Sequence, residues 1–154
     1  MKKQGRFHLV RGEHGASLVE LALVLPVFAL LLVGAIDFGR AIYLSEELVG
    51  AAHAAAVYGS QNPTDTTGMS AAATDAAPDV PSLSVTTPTY GCECSDGTSY
   101  SASCATTPPC TSNNVVYLVK VTVSGTYHPL LSWPGLFHTS MTLSSSASMR
   151  SAGS

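Results

Sequence analysis

Residues 15–36 read GASLVELALVLPVFALLLVGAI, and from Leu21 to Ile36 no side chain is charged. Residues 16–36 are 21 in number; as a helix rising about 1.5 Å per residue they reach roughly 30 Å, one hydrocarbon thickness. In lipid every backbone polar group must find its partner inside the segment, so a helix is required. Pro26 has no amide hydrogen and is expected to bend or loosen that helix over the preceding turn. A single carboxylate, Glu20, sits near the start of the run, five residues after Gly15.

The charges around this run are lopsided. Four of the seven Lys and Arg residues, Lys2, Lys3, Arg6 and Arg11, precede it. After Ile36 only Arg40, Lys120 and Arg150 remain, against eight acids. Positive charge stays on the cytoplasmic side of a hydrophobic helix, which predicts the N-terminus inside and everything after Asp37 outside. The four cysteines, Cys92, Cys94, Cys104 and Cys110, fall in the outside portion, where an even count suggests disulfides. A net charge of −3 leaves no general basic face, which argues against nucleic acid as a partner.

The helical pattern runs on past the apolar segment. Residues 37–58, DFGRAIYLSEELVGAAHAAAVY, are rich in alanine and free of proline. Phe38, Ile42, Val49 and Val57 form a partial stripe, with Leu48 and Tyr58 beside it. Gly59, Ser60, Asn62 and Pro63 are a stop signal. A near-continuous helix over 16–58, of order 60 Å, is predicted. Residues 69–77 can form a short helix, ended by Pro78, and 83–87 alternate as a short strand. Residues 90–114, rich in Ser, Thr, Gly, Pro and Cys, read as a loop held by its cysteines. Residues 115–124 are the strongest strand, with Val115, Tyr117, Val119, Val121 and Val123 on a face expected to lie on the long helix. A proline-bounded apolar loop, 128–137, carries Trp133 and Phe137 as expected core residues, and a last strand covers 139–149, with Met141, Leu143, Ala147 and Met149 on one side. The fold class is therefore α+β: a long N-terminal transmembrane helix packed on a small antiparallel sheet of about three strands, with a disulfide-bearing loop. The divisions are a basic leader at 1–15, a transmembrane helix at 16–36, its amphipathic continuation at 37–58 and an exported domain at 59–154, with the Cys loop at 90–114.

Catalytic patterns are not apparent. No serine has a G-x-S-x-G context, no glycine loop suits a phosphate, and His8, His14, His53, His128 and His138 are scattered. No enzyme activity, cofactor or metal is expected. Cys92-x-Cys94 is too tight and Cys104-x5-Cys110 too wide for the usual zinc spacing. Disulfides are favoured, crossing from one cysteine pair to the other, with the nested pairing Cys92–Cys110 and Cys94–Cys104 preferred. Asp37 and Arg40, three apart on a helix, can meet as an ion pair worth a few tenths of a kcal/mol; membrane-edge polarity is the plainer account, and contact with another subunit the alternative.

The spacing Gly15-Ala16-Ser17-Leu18-Val19-Glu20 resembles the processing site of type IV prepilins. The resemblance implies that a prepilin peptidase cuts after Gly15, frees the amine of Ala16 and leaves Glu20 as the fifth residue of the mature chain. The wider stretch resembles the N-terminus of the TadE-like family, pseudopilins or minor pilins of tight-adherence (Flp-type) pilus systems. The residues that carry this are ALVLP at 22–26, GAIDFGRAIY at 34–43, the alanine-rich turn at 50–58, and VYLVKVTVSGTY and MTLSSSASMR at 116–127 and 141–150. Leu21 stands where Flp-type sites favour an aromatic residue. The implied partners are the membrane, other pilin-like subunits met through the N-terminal helix, the prepilin peptidase and the pilus assembly machinery. The implied location is the bacterial inner membrane, single-pass, with the N-terminus cytoplasmic. A physical argument supports a special role for Glu20: a lone carboxylate in the bilayer costs roughly 3 kcal/mol on insertion scales, and a free amine a helical turn away would neutralise it.

Two plainer readings compete. One is a secretory signal peptide leaving at Val33-Gly34-Ala35, against which Glu20 interrupts the apolar core and the helical pattern continues through Phe38. The other is an uncut single-span anchor for an extracytoplasmic binding domain, with Glu20 near the cytoplasmic interface.

Overall fold

The structure, a computed structural model, describes residues 14–102, 104, 110, 114–130 and 140–151. Along the chain these form helix α1 (His14–Gln61), helix α2 (Thr66–Ala76) and strands β1 (Ser84–Cys94), β2 (Val115–Tyr127) and β3 (Met141–Ser151). The chain divides into two compact units, Met1–Ile36 and Asp37–Ser154. The α+β class, the long helix and the three-stranded antiparallel sheet are as the sequence predicts.

α1 contains Pro26 and remains helical on both sides of it. It stops where the sequence says it should: the Ser60 hydroxyl donates to the Val57 carbonyl at 2.7 Å, and Pro63 follows. Gly59 permits a close approach, since a Cβ there would lie 2.8 Å from Met69 Sδ and from Val119 Cγ1. Asp65 caps α2. Its carboxylate accepts from the Gly68 amide at 2.9 Å and from the Tyr58 hydroxyl at 2.7 Å. The Gly68 amide first, then the Tyr58 hydroxyl, hold that carboxyl below its usual range.

The sheet order is β1-β2-β3, both pairings antiparallel. On β2, Val119, Val121 and Val123 are fully buried. They meet Leu44, Leu48, Ala51, Ala52, Ala55 and Ala56 of α1 in one core, with Met69, Ala73 and Val80 completing it. These α1 positions recur at helical spacing, and four of the six are alanines, so the backbone of α1 can lie close to the strand.

Three sequence expectations need correction. The partial stripe of Phe38, Ile42, Val49 and Val57 is not the face that packs: all four are exposed, and Leu44, Leu48 and four alanines are buried instead. Strand β1 runs to Cys94 rather than stopping near 87, after an irregularity between Thr86 and Thr89 that contains Pro88. Its second half, Tyr90 to Cys94, pairs with Val119 to Val115 of β2. The expected loop had no aliphatic alternation to mark it as a strand; among its described residues the buried ones are Gly91, Cys92 and Cys94, and the two cysteines pack as small hydrophobes. Finally, Met141 is exposed at the end of β3, while Leu143, Ala147 and Met149 are half-buried against the core. Trp133, Phe137 and most of the basic leader lie outside the described residues.

Candidate functional site

Residues 17–36 of α1 present their apolar side chains to the surroundings. Leu18, Leu23, Leu25, Phe28, Leu31 and Ile36 are all at least 55 % exposed. An apolar surface of this length exceeds the patches that a soluble monomer leaves open and marks a membrane or protein contact. α1 is one helix long and apolar enough to cross a membrane, with a mean hydropathy of 2.6 over its best 18-residue window. Among the described residues it is the one segment suited to anchoring in a bilayer.

The sequence-selected residues on this segment stand as follows. Gly15 is exposed in the first turn of α1, and Ala16 follows it in the helix. Glu20 is exposed, on the second turn, among Leu18, Val19 and Leu21. Pro26 lies inside the helix.

Asp37, the first residue of the second unit, is a fastening point within it. Its carboxylate accepts from the Tyr127 hydroxyl at the end of β2. It also accepts from the Leu130 amide, at 3.0 Å to Oδ1 and 3.1 Å to Oδ2. The Tyr127 hydroxyl lies 2.8 Å from the Asp37 carbonyl as well. Arg40 stands 3.7 Å from the same carboxylate and 5.8 Å over the Tyr127 ring centroid. Burial, then the bond to Asp37, push the Tyr127 phenol above its ordinary pKa, and the Arg40 charge works the other way. Asp37 and Arg40 therefore meet as the sequence suggests. The sequence did not reveal Tyr127 and Leu130 as partners of Asp37, because they lie 90 and 93 residues away and only the fold brings them there.

The cysteines form a second local feature. Cys94 and Cys110 are bonded, S–S 2.04 Å, with Cα atoms 5.6 Å apart. This departs from the nested pairing, in which Cys94 would join Cys104 and Cys92 would join Cys110. Cys92, two residues earlier on β1, is buried and Cys104 is half-buried. Burial first, then contact with Cys92, push the Cys104 thiol up to about 11. Among the described residues no group of three or more His, Cys, Asp or Glu side chains could hold a metal.

A chain with one exposed apolar helix at its N-terminus and a small α+β unit behind it has the layout of a membrane-anchored subunit. Residues 15–57 match the family described as TadE-like protein, the family that the Gly15–Glu20 spacing and the 34–43 run resemble. That family is structural and associated with tight-adherence (Flp-type) pilus systems. Comparison with curated proteins and with solved structures finds no match.

Proposed function

We propose that this chain is a pseudopilin or minor pilin that takes part in assembling a tight-adherence pilus. In this reading residues 16–36 insert in the inner membrane with the N-terminus cytoplasmic and residues 59–154 on the other side. A prepilin peptidase removes the leader after Gly15. The freed amine of Ala16, on the same or a neighbouring subunit, then neutralises Glu20 and sets the register between packed helices.

The observation that carries this reading is the exposed face of α1. The apolar surface of 17–36 is continued past the span by Phe38, Ile42, Val49 and Val57, all exposed. A lipid anchor accounts for the first part alone. A helix that packs against neighbouring helices accounts for both. The test is twofold: intact mass of the membrane-extracted chain should show a mature N-terminus at Ala16, and the chain should be recovered with sheared pili. A chain that keeps its basic leader and never accompanies pili would contradict it.

A second reading is an uncut, single-pass anchored binding domain outside any filament. It draws on an open groove of about 720 Å³ on the sheet face away from α1, lined by Thr86, Glu93, Lys120, Thr122 and Arg150 among others. Under it the leader stays and Glu20 is dispensable.

A further inference from the structure

Closure of Cys94 with Cys110 leaves two cysteines, and the fold brings them together. Cys92 and Cys94 are two residues apart on β1, so their side chains leave the same face of the strand, and both are buried. Beyond Cys94 the chain turns back. The Gly97 amide donates to the Cys94 carbonyl at 2.8 Å, and the Cys94 amide to the Thr98 carbonyl at 2.9 Å. Gly97 takes a φ of +82°, which glycine adopts without strain. The returning segment then bridges β1: the Cys92 amide donates to the Ser101 carbonyl at 2.9 Å and the Ser101 amide to the Cys92 carbonyl at 2.8 Å. Cys104 follows three residues later and is half-buried, and contact with Cys92 is among the causes that raise its thiol.

We propose that Cys92 and Cys104 are a second disulfide-forming pair, so that the oxidised domain carries Cys92–Cys104 interlaced with Cys94–Cys110. The pairing is neither nested nor sequential. It fastens Cys104 and Cys110 to β1 at two neighbouring positions on one strand face. The partner in the reaction is a low-molecular-weight disulfide. The thiolate of Cys104, the more accessible sulfur, attacks it and releases one thiolate of the reagent. The Cys92 thiolate then attacks the Cys104 sulfur of the mixed disulfide and releases the second. The two protein thiols lose two protons and two electrons, and the reagent disulfide is reduced to two thiols. Because burial, then contact with Cys92, push the Cys104 thiol up to about 11, closure should be slow at neutral pH and quicken as its thiolate fraction grows with pH.

The experiment uses the reduced full-length chain in detergent, held in an oxidised/reduced glutathione buffer, denatured and quenched with iodoacetamide. Cleavage after Glu93 separates Cys92 from Cys94, and tandem mass spectrometry of the unreduced fragments reads the links. The expected result is no alkylated cysteine and the links Cys92–Cys104 and Cys94–Cys110. Cys92→Ser should leave one alkylated thiol, at Cys104. The double variant Cys94→Ser/Cys110→Ser should still close its two remaining thiols, which covers the case where the first variant folds poorly. Cys92 and Cys104 both alkylated beside a closed Cys94–Cys110, or the nested links, would overturn the proposal. None of these outcomes depends on the pilin reading, so either can fail alone.

Discussion

α1 is used in two different ways along its length. From 17 to 36 its large apolar side chains are exposed, with Val33 alone half-buried. From 37 to 61 it buries one face against the sheet, and that face is made of Leu44, Leu48 and four alanines rather than of the larger residues nearby. Phe38, Ile42 and Val49 point away from the core although they are the bulkier choices. Size alone does not say where a side chain goes. A helix lying close to a valine-rich strand needs small residues at the contact, and large apolar residues left outside remain available to something else.

This contrast can be broken by substitutions of one kind at two places. Leu48→Ala, at a fully buried position, should cost the domain about 2–5 kcal/mol in denaturant unfolding. Leu31→Ala, in the open half of the helix, should leave the same unfolding curve within about 0.5 kcal/mol. Equal losses at both sites would mean that 17–36 has partners inside the chain. Next in size is the Asp37 fastening. Tyr127→Phe keeps the buried ring and removes the bond to a carboxylate, an effect of about 1.5–3 kcal/mol by thermal or chemical unfolding. The phenol of Tyr127 has a folded pKa raised above its ordinary 10.0. Its contribution is therefore whole below about pH 10 and is lost as pH rises through the folded value. An alkaline stability profile should lose that slope in Tyr127→Phe. Of the exposed stripe, Phe38→Ser and Val49→Ser should change domain stability by no more than about 0.5 kcal/mol, yet weaken recovery of the chain with pili. Arg40→Ala should cost little, below about 1 kcal/mol, because its side chain is 50 % exposed.

Much of the fold was legible from periodicity and punctuation. The uncharged run, the alanine-rich continuation and the Gly59-to-Pro63 stop signal gave α1, and the Val119, Val121 and Val123 alternation gave β2 and the side that meets the helix. The orientation of 37–58 was not legible, because both faces carry apolar residues and only the sheet decides which is used. Nor was the second half of β1: a strand whose inward residues are cysteines has the composition of a loop. Of the candidate site, Gly15 and Glu20 stood out by spacing and the 34–43 run by its resemblance to the TadE-like family, whereas the Asp37–Tyr127–Leu130 fastening depends on contacts across 90 residues or more. Sequence spacing likewise favoured the nested pairing of the four cysteines, whereas the structure bonds Cys94 to Cys110.

In the proposed function the open half of α1 is a packing surface, and Glu20 takes its partner from the processed chain end. The most direct test replaces Glu20 with Ala and measures the amount of this chain in the sheared-pilus fraction against the amount in the membrane. The expected result is normal membrane insertion with the chain lost from pili. Unchanged recovery in pili would contradict the account.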